Sequence, residues 1–493
     1  MQYKPTIGLE IHAELNTQTK MFCDCLNDPE EKHPNVNICP VCTGHPGNLP
    51  VPNKQAIESV LKVGMALNGD IPQFSKFDRK NYFYPDLPKS YQISQYDLPF
   101  IFGGMLQGVR LRRIHLEEDT GSLAHSEDGK SSYVDYNRSS VPLMELVTEP
   151  DITSAEQAVL FAKELQLILR YLGVSDADME KGQMRVEANI SIAEVGLRQS
   201  GGLSGRTDSN ESVLGTKVEV KNINSFKAVQ GAIEYELKRQ EELIKSGGKV
   251  IQETRGWDDA KRSTFSQRIK EEAHDYRYFP EPDIPPLDMS AFDLKKLKLE
   301  IPELPHAKRL RFVKEYGLLP EQAELLVINR DGAQFFEETI SELAEEEGGA
   351  NPEAIKLAFN YLTSDLWGQL SEKEISLAEC KVDPENFADL IVLIYKKEIS
   401  SRAAKDILAK MLETGLDPRE IMKSENLAQV SDEFSLRPLA EKIVSENPKA
   451  VEDFKKGKSN ALQFLVGKAM AALKGGGNPT VLQKIFSDVL AGK

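Results

Sequence analysis

The chain has 493 residues, of which 40% are hydrophobic and 28% charged, and its formal net charge is −16. This length exceeds what one hydrophobic core supports, so we expect about two to four domains. The acidic balance argues against a protein that coats nucleic acid, and no apolar run approaches the ~20 residues that span a bilayer. The N-terminus has neither a basic leader nor a secretory core, which predicts a cytoplasmic protein without membrane contact.

The first patterned segment is IGLEIHAEL (7–15), in which apolar and polar residues alternate. Side chains of a β-strand point alternately to the two faces of a sheet, so the odd-numbered apolar residues are predicted to be buried. The other face then presents Glu10, His12 and Glu14. Carboxylates and imidazole bind cations or transfer protons. A solvated face of an edge strand would produce the same pattern, and for an isolated segment that is the commoner outcome.

Four of the five cysteines lie close together, as the pairs Cys23/Cys25 and Cys39/Cys42. Four thiolates on two short knuckles suit a closed tetrahedral zinc site with a structural role. The alternative is a set of unliganded cysteines. Cys380 is predicted to be a small buried residue.

The first ~280 residues combine alternating strand patterns with helical inserts. Mixed acidic and basic residues share one side of each strand pattern, which predicts an antiparallel sheet with an open polar face and helices on the other. The predicted class is therefore α+β. The strand patterns are at 185–192 and 216–223, and the helical patterns are at 54–68, 154–172 and 226–246.

The proline-rich run PEPDIPPLD (280–288) interrupts these patterns and predicts a domain boundary just beyond it. The chain after it is predicted to be all helical, ending in a helix hairpin around the glycines at 475–477. We expect three domains, at 1–294, 295–400 and 401–493. The amphipathic stretches lie near 305–345, 352–376, 384–413 and 434–447.

A carboxylate, Glu145, interrupts the apolar run LMELV. Burying an ionised group is costly unless it is paired or binds a metal. The residue is therefore predicted to bind a metal or to form a buried salt bridge, for instance with Arg138.

The segment RRIHLEEDTGSL (112–123) carries the neighbouring acids Glu117, Glu118 and Asp119. Glu118 shares its strand parity with the apolar residues at 114 and 116, and Glu145 shares its parity with those at 143 and 147. Either these strands are buried on both faces, or a bulge redirects the acids.

Aromatic and cationic residues alternate in FDRKNYFYPDLPKSYQISQY (77–96), which contains Arg79, Lys80 and Lys89. This composition suits stacking on a base while the cations contact phosphate. A tyrosine-rich loop packed on the core is the alternative.

The C-terminal end is basic, with seven lysines against the single acid Asp488 after position 453. A basic end on an acidic body is typical of phosphate contact, although ordinary solvated helix faces would look the same. The lysines are Lys455, Lys456, Lys458, Lys468, Lys474, Lys484 and Lys493.

Together these segments resemble the B subunit of the tRNA-dependent amidotransferase, the GatB family, over nearly the whole chain. The matching stretches are GLEIHAEL, TKMFC, CTGHPGNLPVPN, KFDRKNYFYPDLPKSYQISQY, HLEEDTGS, DYNRSSVPLMELVTEPD, VKNINSF, ETRGWDD, DYRYFPEPD and FLVGKAMAALKGGGNP.

The resemblance implies a cradle domain that uses ATP and Mg²⁺ to phosphorylate the side-chain carboxylate of glutamate or aspartate misacylated on tRNA(Gln) or tRNA(Asn). It implies a complex with an amidase subunit (A) and a small subunit (C). Ammonia from the amidase displaces the phosphate, while the helical and tail domains bind tRNA.

Carried over by motif, the magnesium ligands are His12, Glu118 and Glu145, and Glu10 is a fourth catalytic group. Glu14 gains no support from the resemblance and is predicted to lie on the surface. Contacts with ATP or the tRNA end are predicted for Arg79, Lys80, Lys89, Arg138 and Glu187, and contacts with the tRNA body for Lys455, Lys456, Lys458, Lys468 and Lys474. Thr120, Ser122, Ser139 and Ser140 depart from the family pattern. The alternative function is a non-catalytic, zinc-containing tRNA-binding scaffold.

Overall fold

The computed structural model describes residues 3–194, 214–269, 276–347, 349, 351–429, 432–456, 458, 460–473 and 476–491. The chain divides into two compact units, Met1–Pro305 and His306–Lys493. The proline-rich run at 280–288 therefore lies inside the first unit, and the unit boundary follows the predicted one at 294. The further division at 400 stays a prediction.

The first unit is built on short and long β-strands. They are β1 (Tyr3–Glu14), β2 (Phe74–Ser75), β3 (Asp78–Asn81), β4 (Tyr91–Ser94), β5 (Ile101–Phe102), β6 (Met105–Leu106), β7 (Val109–Glu118), β8 (Ser122–His125), β9 (Ser132–Asp135), β10 (Pro142–Thr148), β11 (Met184–Glu194), β12 (Val218–Ile223), β13 (Glu253–Asp258), β14 (Ser263–Ile269), β15 (Phe279–Pro280) and β16 (Leu287–Asp288).

One nine-stranded sheet dominates this unit, in the order β14-β13-β12-β11-β1-β10-β7-β5, with β6 also paired to β7. Its pairings are antiparallel except for the parallel pair β12–β13. Residues 7–15 do not form the solvated edge strand that their pattern left open as an alternative, because β1 pairs along both edges, with β10 and β11. The smaller sheets are β15-β3-β4, β16-β2 and β8-β9.

Three helices supply the apolar layer against this sheet: α1 (Lys54–Ala66), α2 (Ala155–Leu172) and α3 (Phe226–Lys245). The predicted apolar side of β1 is buried here, since Ile7, Leu9 and Ile11 are fully inaccessible and share one core with residues of all three helices. The helical inserts and the α+β class are thus confirmed. A short helix, α4 (Leu294–Leu299), ends the unit.

The second unit contains helices but no strands in its described part, and turns and loops join the helices. Its helices are α5 (Pro305–Tyr316), α6 (Pro320–Ile328), α7 (Arg330–Glu347), α8 (Pro352–Asn360), α9 (Trp367–Glu372), α10 (Pro384–Tyr395), α11 (Ser401–Thr414), α12 (Pro418–Ser424), α13 (Glu433–Glu446), α14 (Pro448–Lys455), α15 (Asn460–Ala472) and α16 (Pro479–Leu490). A π-helical turn, Tyr361–Leu366, joins α8 to α9.

Two features of this unit refine the sequence patterns. The stretch 384–413 is two helices, because Lys397 adopts a positive φ of 58° and Ser400 caps the following helix. The predicted terminal hairpin is present as α15 and α16, which share a separate small core with α13. Within the described part of the chain, no helix is long and apolar enough to cross a membrane.

Candidate active site

The large sheet has one face that is not covered by the core helices and is rich in charge. We call it the charged face and define it by Glu10, His12, Glu14, His115, Glu117, Glu145, Arg185, Glu187, Glu219 and Lys221. Register places the side chains: His12 lies opposite Glu145 on β10 and opposite Arg185 on β11, and Glu145 lies opposite His115 on β7. Strand alternation therefore brings the charged residues of five strands to one side.

Two histidines and two glutamates form the centre of this face. His12 Nε2 lies 3.3 Å from Glu145 Oε2 and 3.6 Å from Glu117 Oε1. His115 Nε2 lies 3.2 Å from the same Glu145 oxygen and 3.8 Å from Glu117 Oε2. One ligand atom from each of His12, Glu117 and Glu145 falls within 4.8 Å of the others, a spacing that suits a single cation.

The charges of this centre favour protonated histidines beside ionised glutamates. Burial opposes protonation of His12, but Glu145 and Glu117 outweigh it and raise the pKa of His12 to about 9. The pKa of Glu145 is held well below its ordinary range, because His115 and His12 outweigh the effect of burial. A divalent cation would replace these protons, since a ligating imidazole must be neutral. His12 Nδ1 is buried without a hydrogen-bond partner, whereas Nε2 faces both glutamates and is the nitrogen that a metal between them would meet.

A second acidic cluster lies further along the same face. Oxygens of Glu10, Glu187 and Glu219 fall within 4.8 Å of one another. Lys221 Nζ pairs with Glu187 at 2.8 Å and Glu219 at 3.6 Å, so one ammonium pairs with two of the three carboxylates. Burial and then the charges of Glu145, Glu187 and Glu219 raise the pKa of Glu10. This excess of carboxylates also suits a hard cation, for which oxygen ligands are preferred.

Lys80 adds a cation beside the first cluster. Its Nζ lies 5.9 Å from the ring centroid of Tyr82 and 5.4 Å from that of Tyr276. Burial opposes its charge, yet Glu117 and other neighbours raise the pKa of Lys80 well above its ordinary value. The ammonium therefore stays charged next to Glu117, where an anionic phosphate would be neutralised.

Glu14 and Arg138 belong to a buried ion network at one end of the face. Arg138 Nη2 lies 2.7 Å from Glu14 and its Nε donates to Asp119 at 2.8 Å, while Arg185 also pairs with Asp119 at 3.2 Å. Two predictions are therefore wrong: Glu14 is buried rather than on the surface, and Arg138 does not pair with Glu145. Arginine offers several donors in a planar fork, which lets Arg138 join two acids at once.

Glu118 does not lie beside His12 and Glu145, so the geometry differs from the ligand set that the resemblance implies. Its register partner is Pro142, so it lies on the side of Leu116 rather than on the charged face. There it accepts hydrogen bonds from Lys89 Nζ at 2.6 Å and from the Ile93 amide at 2.9 Å. The strand is buried on both faces at this point, the first of the two alternatives that its parity left open. Glu117 takes the place beside His12.

The Arg79 side chain pairs with acidic residues of the chain itself and is not directed at a ligand site. Its guanidinium binds buried Glu281 with two hydrogen bonds of 2.7 and 2.8 Å and reaches Asp283 at 3.3 Å. The ring of Tyr91 lies 4.3 Å from the guanidinium carbon. Arg79 thus fastens β3 to the segment around β15. Its predicted contact with phosphate finds no support in this geometry.

The four clustered cysteines converge as predicted. Sulfur atoms of Cys23, Cys25, Cys39 and Cys42 all lie within 4.8 Å of one another, and the thiols are free rather than paired in disulfides. The Cys39–Cys42 Sγ distance is 3.9 Å, close to the edge of about 3.8 Å expected for a tetrahedron with metal–sulfur bonds of about 2.3 Å. The donor set fits a tetrahedral metal. Cys380 is partly exposed, so its predicted burial is wrong.

The basic residues of the C-terminal end differ in their surroundings. Lys456 pairs with Glu452 at 3.2 Å and Lys458 with Asp453 at 2.9 Å. Lys455 is exposed, and Lys468 lies with Nζ 5.6 Å from the ring centroid of Phe464. Lys474 lies outside the described residues.

The sequence-based set missed Glu117, His115 and Glu219 as members of the clusters. The signal was present in the alternation: Glu117 shares its parity with His115, and Glu118 with the apolar residues of the strand. The acid whose position alternates with the buried apolar residues of the strand is Glu117, and that criterion would have selected it.

The mixed sheet with its charged face, the four-cysteine cluster and the helical C-terminal unit place this chain in the class of α+β proteins that carry a helical region after the sheet domain. Residues 5–294 match the family model of the GatB/GatE catalytic domain, and residues 334–490 match that of the GatB domain. This chain belongs to the GatB family, the B subunits of the tRNA-dependent amidotransferase.

Curated relatives match over their full length. The B subunit of the aspartyl/glutamyl-tRNA(Asn/Gln) amidotransferase from Thermotoga maritima is 45% identical over 505 residues, covering 100% of both chains. The B subunits of the same name from Persephonella marina and Brevibacillus brevis are each 44% identical, covering 99% of this chain and 100% and 99% of their own.

Proposed function

We propose that this chain phosphorylates the side-chain carboxylate of glutamate on tRNA(Gln), or of aspartate on tRNA(Asn), with ATP as donor. The γ-phosphoryl group moves to a carboxylate oxygen, ADP leaves, and ammonia then attacks the acyl carbon and releases phosphate. The products are Gln-tRNA(Gln) or Asn-tRNA(Asn). Ammonia would come from glutamine hydrolysed by an amidase subunit in a cytoplasmic complex with a third, small subunit.

The observation that carries this proposal is the pair of carboxylate clusters on the charged face of the sheet. Phosphoryl transfer needs little covalent chemistry from a protein and much positioning and charge neutralisation. His12, Glu117 and Glu145 would hold one Mg²⁺, and Glu10, Glu187 and Glu219 would hold a second. Bound Mg²⁺ would neutralise charge on the phosphate oxygens and align the attacking carboxylate.

The chain's own residues have distinct tasks in this scheme. His115 contacts both Glu145 and Glu117 and so fixes the orientation of these two acids. Lys80 brings a permanent positive charge toward the phosphate, and the Arg138–Asp119–Arg185 network keeps two more cations at the end of the face. The four-cysteine knuckle would hold a structural Zn²⁺, and the exposed lysines of the C-terminal end would contact the tRNA backbone.

The test is amidation by the assembled complex supplied with ATP, glutamine and Glu-tRNA(Gln). Glu145→Gln keeps the size of the side chain but removes its charge, and we expect the rate to fall by about 100-fold or more. Glu127→Gln is the matched control, since Glu127 is exposed between β8 and β9. Glutamine hydrolysis by the amidase should survive in both variants. A normal amidation rate in Glu145→Gln would instead favour the non-catalytic scaffold.

A further inference from the structure

The loop that carries the four cysteines contacts Lys89 directly and is linked to Arg138 through its neighbour Asn137. We call residues 20–48 the cysteine knuckle. Within it, Gly44 has a φ of +69°, and a Cβ there would come within 2.5 Å of Lys89 Cγ and 3.2 Å of the Lys89 backbone. Lys89 in turn places its ammonium 2.6 Å from Glu118. The knuckle backbone is thus packed directly on the residue that holds Glu118.

A second connection runs from the knuckle to Arg138. The buried side chain of Asn137 accepts hydrogen bonds from the amides of Val36 and Asn37, both at 2.9 Å, and donates one to His33 O at 2.8 Å. Arg138, the next residue, holds Asp119 and Glu14.

Two further bonds tie the same segment to the cysteines themselves. Lys20, which is fully buried, lies with Nζ 4.0 Å from Cys42 Sγ and donates to Tyr136 O at 3.1 Å. Ser139 Oγ donates to Cys42 O at 3.2 Å. The knuckle is therefore hydrogen-bonded to residues on both sides of Arg138, within the segment 136–140.

We propose that the cysteine knuckle is a positioning element beside the proposed active site: it holds the Lys89–Glu118 pair through Gly44, and through Asn137 it holds Arg138 at the end of the charged face. Closure of the four thiolates on a metal fixes the loop, and the loop fixes both cations. The significance for phosphoryl transfer rests on the proposed function, but the positioning itself does not. Its consequence is that losing the metal, or displacing the loop, frees Lys89 from Glu118 while the large sheet stays folded.

Two glycine substitutions separate this role from general stability. Gly44→Ala places a methyl group against Lys89, whereas Gly47, with a φ of +88°, has nothing within 4 Å of its Cβ position. Both substitutions strain a left-handed backbone, so Gly47→Ala is a matched control. Only Gly44→Ala should displace Lys89.

The experiment measures amine labelling of Lys89 and amide exchange of Ile93 by mass spectrometry, on the full-length chain and at matched metal content. We expect Gly44→Ala to raise both rates by about tenfold and Gly47→Ala to leave them near the wild-type values. Chelation of the wild-type protein should raise them as well, together with exchange in the 136–140 segment. This second measurement keeps the test valid if Gly44→Ala fails to fold.

Equal rates in Gly44→Ala and Gly47→Ala, or protection of Lys89 that survives chelation, would overturn the proposal. Faster labelling of Lys89 with an unchanged phosphorylation rate would support the positioning and show that the Lys89–Glu118 pair lies outside the proposed phosphoryl-transfer site.

Discussion

His12 and Glu145 face each other across neighbouring antiparallel strands, with Nε2 and Oε2 3.3 Å apart. Glu117 approaches the same nitrogen at 3.6 Å from the next strand. Three strands thus contribute one ligand each to a single point on the sheet. A site built across a sheet in this way is held by the strand register rather than by loops.

Glu117, and not its neighbour Glu118, should determine divalent metal binding. Removing a ligand charge with Glu117→Gln is expected to weaken Mn²⁺ binding by at least about tenfold, measured by calorimetric titration of the full-length chain. Glu118→Gln is the matched comparison and should weaken Mn²⁺ binding less, since Glu118 lies on the opposite side of the strand with Lys89. If Glu118→Gln weakened Mn²⁺ binding more than Glu117→Gln, the result would favour the ligand set that the resemblance implies.

Arg79 should matter for stability more than for phosphate binding. Arg79→Met leaves the fully buried Glu281 without its main partner, and an uncompensated buried charge costs about 3 kcal/mol. The urea midpoint of unfolding, followed by circular dichroism, should fall clearly. Arg110→Met is the control, because the Arg110–Asp151 pair is exposed to solvent and screened. Equal midpoints in the two variants would contradict the structural role of Arg79.

The cysteine knuckle should bind one zinc ion per chain, measured by elemental analysis of the purified protein. Cys39→Ser is expected to lose the metal and to lower the melting temperature, because metal binding is coupled to the folding of such knuckles. Cys380→Ser removes a thiol that lies outside the four-cysteine cluster and should keep both properties. Full metal content in Cys39→Ser would show that the four thiols do not act as one site.

Lys468 should contribute to tRNA binding through charge. Each duplex phosphate that a protein neutralises adds about 0.9 to the steepness of log affinity against log salt, so Lys468→Ala should flatten this slope by roughly one unit. Lys163→Ala is a close control, since Lys163 lies 5.7 Å from the Phe226 ring much as Lys468 lies 5.6 Å from that of Phe464. Filter binding across a salt series measures the slope for each variant. Parallel slopes for wild type and Lys468→Ala would make this helix face an ordinary solvated surface.

The sequence predicted local structure well because alternation and helical spacing are local properties. The apolar side of β1, the three core helices and the cysteine cluster all followed from spacing between near neighbours. Strand pairing was not predictable from the same signal, since register joins residues far apart in the chain. For that reason the sequence alone left an edge strand at 7–15 open as an alternative.

The candidate site was predicted in part, and its errors have one physical origin. Glu10 and His12 are on the charged face, as the alternation of their strand suggested, and Glu145 joins them although its parity grouped it with Leu143 and Val147. Charge alone did not reveal which cations are already paired, so Arg79 and Arg138 were assigned to ligands although each is held by two acids. Those partners lie on distant segments.

The central claim is that this chain transfers phosphate to the amino acid on tRNA. It is tested most directly by incubating the complex with γ-³²P-labelled ATP and Glu-tRNA(Gln), without glutamine or ammonia, and trapping the acyl phosphate by borohydride reduction. We predict radiolabelled phosphate release that depends on Glu-tRNA(Gln), together with reduced glutamyl product, in wild type and Glu127→Gln but not in Glu145→Gln. No reduced product in wild type, under conditions where added glutamine supports amidation, would contradict this account.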